Sequence, residues 1–319
     1  MAGNSTAVAE RNTAKTGTTN RAHLRKKPGY PSWVAKFIMA ITGWIFSLFL
    51  LVHMIGNLKM FKSTYTITQH DLAKGYSPDQ IGQQAQAMND YAHWLRTLLG
   101  GLFGYEGVLW VFRIVLLICI ILHFASGILL AVRGRQAHGS GPRKVSTARG
   151  VSARFMIISG LILACFIVYH ILDLTAGDTG ADFEHGDAYN NMISSFDRPG
   201  VATFYVITML LLLIHIEHGV ATTANDFGAT GRRLRAAFSI IGGIIAGLIV
   251  LGNLVIVICV ASGAIDHVDV AIPNQGYDGT AHAAMAAAAN GSSSLLETPP
   301  PFPQPGEPGT PNRACARLF

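Results

Sequence analysis

Apolar residues are concentrated in five long runs, at about 33–58, 108–132, 155–175, 201–222 and 237–263. A helix needs about 20 residues to cross a bilayer, and each run meets that length. The polar segments between them assign sidedness. The N-terminal arm carries Arg21, Arg25, Lys26 and Lys27. The connection 133–154 carries Arg133, Arg135, Arg143, Lys144, Arg149 and Arg154, and the fourth carries Arg232, Arg233 and Arg235. The third connection instead carries Asp178, Asp182, Glu184, Asp187 and Asp197 against Arg198. By the excess of Lys and Arg in cytoplasmic loops, the N-terminus is inside and the C-terminus outside. The first connection, 59–107, is mixed in character and long enough for additional short helices. The expected organisation is a cytoplasmic arm over 1–30, a membrane domain over 31–263 and a tail over 264–319. The tail is rich in Ala, Ser and Pro and reads as disordered.

Composition agrees with a membrane chain. Of 319 residues, 50% are hydrophobic and 13% charged, against about 25% charged in soluble domains. The net charge of +6 follows the loops and forms no basic stripe suited to nucleic acid. The N-terminus has no apolar core of the kind a secretory signal requires. Cys119, Cys165, Cys259 and Cys315 form no CxxC or CxxCH, which argues against disulfides, a zinc site and covalent c-type haem.

The first four runs contain histidines and the fifth has none: His53, His123, His170, and the pair His215 and His218. Ionisable groups inside a membrane are rare and usually functional. Topology gives each a depth. His53 precedes Lys59 by six residues and lies about 9 Å from the outer edge. His170 precedes Asp178 by eight, at about 12 Å from the same edge. His123 precedes Arg133 by ten residues, about 15 Å from the inner edge, and His215 also falls in the inner half. The histidines therefore form two depth-matched pairs, His53 with His170 and His123 with His215. That arrangement suits two bis-histidine b-type haems stacked across the membrane, with each iron supplying the partner that hydrocarbon cannot. Gly56, Gly127 and Gly219 follow ligand positions by three or four residues and are expected to leave room for a porphyrin. A simple interhelical hydrogen bond explains any single histidine. A histidine-based transporter explains several, and predicts acidic partners at the same depths. Spacing alone does not choose between His215 and His218. His215 is preferred because it is deeper, with Gly219 at the offset Gly127 has from His123.

The stretches "MAITGWIFSLFLLVHMIGNLKMF", "ILHFASGI", "IVYHILDL" and "IHIEHGVATTANDFG" resemble the cytochrome b membrane anchor of succinate:quinone oxidoreductases and fumarate reductases. The similar class is the single-chain, five-helix, di-haem type, and the resemblance covers about residues 30–263. It implies an all-α membrane protein of five transmembrane helices, the first four forming a haem-binding bundle. It implies two haem b groups, with iron ligands His53 and His170 for the outer haem and His123 and His215 for the inner. It further implies a flavoprotein subunit holding FAD, a subunit holding iron–sulfur clusters, menaquinone as substrate, a bacterial plasma membrane and a trimer of complexes as one possible assembly. Neither FAD nor an iron–sulfur cluster has a binding motif in this chain. The reverse direction, fumarate reduction, and a di-haem anchor of another dehydrogenase are the alternatives.

Further residues acquire expected roles on that resemblance. Arg113, ten residues before His123, reads as a propionate partner of the outer haem, or as a snorkelling cation. Arg154 reads as a propionate partner of the inner haem, or as a positive-inside anchor, and Lys36 shares that ambiguity. Quinone chemistry needs a proton carrier, for which Tyr105, Glu106 and Asp173 are candidates, with a solvated helix end as the alternative. Glu217 reads as a proton-transfer or supporting residue beside His215. Trp33, Tyr105, Trp110 and Tyr205 read as an interfacial aromatic belt.

Overall fold

The computed structural model describes residues 31–138, 148–228 and 231–274. The arm over 1–30, the side chain of Arg154 and the tail beyond 274 lie outside the described residues. Among the described residues, five helices are long and apolar enough to cross a membrane. They are α1 (Ser32–Asn57), α4 (Gly107–His138), α5 (Ala148–Ile171), α7 (Pro199–Asp226) and α8 (Arg232–Ala261), with the short α2 (Ala87–Thr97), α3 (Gly100–Phe103) and α6 (Ala188–Phe196) between them. Their limits fall within a few residues of the apolar runs, apart from a longer C-terminal end on α4 and a longer N-terminal end on α5.

Continuous apolar sequence without internal proline makes these helices, because in lipid every backbone group must be satisfied within its own segment. Proline appears where it costs nothing: Pro31 precedes α1, and Pro199 occupies the first turn of α7. Water does not drive helices together inside a bilayer, so small residues that allow close packing mark the contacts. On α1 the buried positions include Ala35, Ala40, Ser47 and Gly56, and on α8 they include Gly242, Ala246 and Gly252. A Cβ placed on Gly242 would lie 2.9 Å from Val220 Cβ, and one on Gly252 would lie 2.4 Å from Met54 Sδ. Those two glycines bring α8 onto α7 and α1. The α4 helix packs chiefly on α1, and α5 on α7. Outward faces carry large apolar side chains, as at Val111, Ile114, Leu117, Ile118 and Ile121 on α4.

The connections 58–106 and 177–198 and the segment 262–274 all leave the bundle at the same end and fold together into a cap. Two strands, β1 (Tyr65–Thr66) and β2 (Gln84–Ala85), pair antiparallel with Tyr65 opposite Ala85. Ile67, Tyr76, Ala85 and Ala271 form a small apolar core beneath them. The Ala271 amide donates to Gln84 O at 2.8 Å, and the Asn274 amide to Gly75 O at 3.0 Å. Residues 264–274 are thus packed, which moves the expected start of the tail to beyond them. Their apolar content is low, but Ile265 and Ala271 are buried, and backbone hydrogen bonds do the rest. Asn89 on α2 donates to Asp187 at 3.0 Å and accepts from the Tyr189 amide at 3.0 Å, joining the first connection to α6. Cys119 and Cys165 are free thiols.

Within the cap, Asp71 accepts from the Thr68 amide at 2.9 Å and the Thr68 hydroxyl at 2.6 Å, and pairs with Lys74 at 2.9 Å. The Thr68 hydrogen bonds, then Lys74, hold its carboxyl well below the usual carboxylate range. A depressed folded value means that the unfolded chain takes up the proton first as pH falls. The contribution of Asp71 is therefore complete above its unfolded value of about 3.9 and is lost as pH drops through the folded value. Hydrogen exchange of the cap amides is expected to accelerate on acidification below pH 4, and Asp71→Asn is expected to remove this part of the dependence. An unchanged acid profile in that variant would sink the assignment.

Candidate functional site

The fold brings the bundle histidines together in twos. His53 on α1 faces His170 on α5, with ring centres 5.9 Å apart and ring planes at 87°. His123 on α4 faces His215 on α7, with ring centres 6.3 Å apart and planes at 53°. These are the pairs expected from depth. The first lies towards the cap and the second deeper, towards the opposite end. The His53 ring also stacks on Phe49 at 5.5 Å, and the His170 ring on Phe166 at 5.6 Å.

The spacing has a chemical meaning. An imidazole nitrogen bonds a metal at about 2 Å, and the ring centre lies about 1 Å behind it. Two imidazoles on opposite sides of one metal therefore hold their ring centres about 6 Å apart. Among the described residues no group of three or more His, Cys, Asp or Glu side chains forms a metal cluster. Two imidazoles suit an iron whose remaining positions are filled by a macrocycle.

Hydrogen bonding assigns the tautomers. Thr42 Oγ1 on α1 lies 3.0 Å from His123 Nδ1 and donates its own hydrogen to Ile38 O at 2.8 Å. Ser159 Oγ on α5 lies 3.1 Å from His215 Nδ1 and donates to Met156 O at 3.2 Å. A hydroxyl has one hydrogen. With that hydrogen committed to a carbonyl, the oxygen accepts from the imidazole, so Nδ1 carries the proton. The Nε2 lone pair is then left for a metal. His170 repeats the pattern. Its Nδ1 lies 3.2 Å from the Tyr205 hydroxyl, which donates to Asp173 Oδ2 at 3.2 Å.

Glycines supply the space, though not all those expected. A Cβ on Gly127 or Gly219 would meet no atom within 4 Å, so the chain is open beside His123 and His215. A Cβ on Gly56 would lie 2.6 Å from the Tyr91 ring. Gly56 therefore admits a cap side chain, which corrects its expected role. Two others escaped the sequence reading. A Cβ on Gly43 would lie 3.4 Å from His123 Cε1, and one on Gly160 would lie 3.4 Å from His215 Cε1. The signal was available: Thr42–Gly43 and Ser159–Gly160 are the same hydroxyl-then-glycine pair on two different spans.

Asp173 lies in a five-residue π-helical turn, Leu172–Ala176, that ends at Gly177 in the left-handed region with φ 79°. Its side chain is wholly buried. Thr179 and Arg198 donate to Oδ1, and Ser195 and Tyr205 donate to Oδ2. The carboxylate joins α5, the following loop, α6 and α7 at one point. Tyr205 is only 4% exposed. It belongs to this network, and its assignment to an interfacial belt is corrected. Trp33 and Trp110 are 68% and 57% exposed, as belt residues require.

Glu106 opens α4 at the cap with φ 58°, a left-handed backbone uncommon outside glycine. Its carboxylate sits between Arg96 Nε at 3.2 Å and Arg113 Nη1 at 2.9 Å. The Arg113 guanidinium also lies over the Trp110 ring at 4.8 Å. Arg113 thus has an anion from its own chain. Tyr105 is adjacent, and burial pushes its hydroxyl above the ordinary tyrosine range. Near the opposite end, Lys36 approaches Asp226 at 3.8 Å. Glu217 and His218 are half-buried on α7, and the Glu217 carbonyl faces Gly242 of α8.

No family model, no curated protein and no solved structure matches this chain.

Proposed function

We propose that this chain is a di-haem cytochrome b, the membrane anchor of a succinate:menaquinone oxidoreductase in a bacterial plasma membrane. The observation that carries the reading is the pairing of four histidines from four helices at two depths, three of them with Nε2 left free by their hydrogen bonds. His53 and His170 would hold one haem, and His123 and His215 the other. A haem bound at each pair would supply a one-electron carrier there. Thr42 and Ser159 fix the rotation of the deeper imidazoles, and Tyr205 fixes that of His170. The partners would be a flavoprotein subunit carrying FAD and a subunit carrying iron–sulfur clusters, with a trimer of complexes as one possible assembly. Menaquinone would meet the cap end, where Tyr105 and Glu106 would be the groups that exchange protons. Arg113, which Glu106 holds at the cap end, and Arg154 remain the candidates for haem propionates.

Fumarate reductase, running the electrons in reverse, uses the same residues, and the direction follows from potentials. A di-haem anchor of another dehydrogenase also fits the paired imidazoles, and succinate-dependent haem reduction in membranes separates it from the first reading. A proton or ion transporter that uses these histidines is less well supported. It calls for carboxylates against the imidazoles, whereas the deeper pair is held by hydroxyls and Asp173 reaches His170 only through Tyr205.

A pyridine haemochrome assay on the purified chain is the direct test. Two haem b per polypeptide are expected, falling to one in His215→Ala and remaining two in His218→Ala. A value near zero in folded protein would remove the cytochrome reading.

A further inference from the structure

The two histidine pairs differ in what stands behind them. Behind His123 and His215 are the hydroxyls of Thr42 and Ser159, and behind those are backbone carbonyls of their own helices. Both chains of hydrogen bonds end on neutral groups. Behind His170 is the Tyr205 hydroxyl, and behind that is a fully buried carboxylate. From these contacts we infer that Tyr205, polarised by Asp173, is a positioning residue that makes His170 a more basic axial ligand than its counterparts in the deeper pair. The inference rests on the di-haem reading.

The physical argument runs along the hydrogen bonds. A phenol that donates to a carboxylate gains negative character on its oxygen, and consecutive hydrogen bonds in a low-dielectric site reinforce one another. That oxygen accepts from His170 Nδ1–H and draws the proton away from the ring. The Nε2 lone pair becomes richer, which favours the more oxidised metal. Arg198 binds Oδ1 and offsets part of the carboxylate's charge, while Tyr205 keeps its own hydrogen bond to Oδ2. Asp173 is also poorly suited to carry protons for a quinone. Four donors occupy its two oxygens, and it has no exposed edge. Its role is to set the charge behind Tyr205.

Redox titration of the whole chain, followed through the separate low-spin haem signals, tests this. The signal belonging to the His53/His170 site is identified by its loss in His53→Ala. Tyr205→Phe keeps the ring packed against Phe166 and Phe196, each 4.9 Å away between ring centres. It removes only the hydroxyl. With two haems retained, the reduction equilibrium of that haem is expected to shift towards the reduced form by on the order of tenfold, or about 59 mV for one electron. The other haem is expected to stay where it was. Unchanged potentials, or an equal shift of both, would overturn the inference. Wild-type protein without haem would instead overturn the di-haem reading. Ser195→Ala is the second variant, in case Tyr205→Phe fails to hold both groups. It frees Asp173 Oδ2 for Tyr205 and is expected to move the same haem in the opposite direction. No shift there would also overturn the inference.

Discussion

Two alanine substitutions within one histidine pair are expected to cost one haem, and two taken from different pairs are expected to cost both. The double variant His53→Ala with His170→Ala should bind one haem b per chain, as should each single variant. His53→Ala with His123→Ala should bind almost none. The expectation follows from which rings face each other: α1 with α5 at 5.9 Å, and α4 with α7 at 6.3 Å. Residues that serve one metal act as a unit, so removing the second ligand of a broken site adds little, while separated sites behave additively. Haem per polypeptide, with retained helical circular dichroism as the control for folding, reads this out. Equal loss in both kinds of double variant would mean that the pairs are wrong, even if the histidines are ligands.

Asp173→Ala is expected to be among the most destabilising changes outside the histidines. It would leave Arg198, Thr179, Ser195 and Tyr205 without their shared acceptor. Removing one member of a buried ion pair costs about 3–5 kcal/mol. The Arg198 side chain is 27% exposed, so water recovers part of that loss and about 3 kcal/mol is expected. For a chain of 319 residues that lowers the thermal midpoint by about 4–5 °C. Adding Arg198→Ala should restore some of it, because the stranded cation is removed with its partner. A shift no larger than that of an exposed control such as Asp178→Ala would show that the carboxylate does not tie these elements together.

The membrane part of the fold was legible because two regularities act on it directly. Lipid demands long apolar runs, and the rise of an α-helix converts sequence distance into depth. Those suffice to pair His53 with His170 and His123 with His215 before any contact is known. The cap had no such regularity. Its strands are two residues long, several of its helices are single turns, and its core joins Ile67 and Tyr76 to Ala271 across most of the chain. Tyr205 was misplaced because position near a span end suggests an interface, whereas its burial depends on α6 and the π-helical turn packing over it. Gly56 makes room for the Tyr91 ring of the cap rather than for a porphyrin, which its distance from His53 in the chain does not reveal. The acidic character of Asp173 was visible. The four donors around it come from 179, 195, 198 and 205, and only folding brings these together.

The cap also constrains the order in which the protein can be completed. Its ribbon, residues 65–85, is synthesised soon after the first span, yet the segment that lies along it, 264–274, emerges after the last. Between them the ribosome makes four more membrane-crossing helices. The Gln84 carbonyl and the small apolar core around Ile67 therefore wait, on the far side of the bilayer from α8's starting end, until α8 has been threaded across and delivers Ala271 to them. The final span acts as the carrier of a closing piece. Any truncation that removes residues 264–274 leaves every helix present and the end of the bundle unsealed.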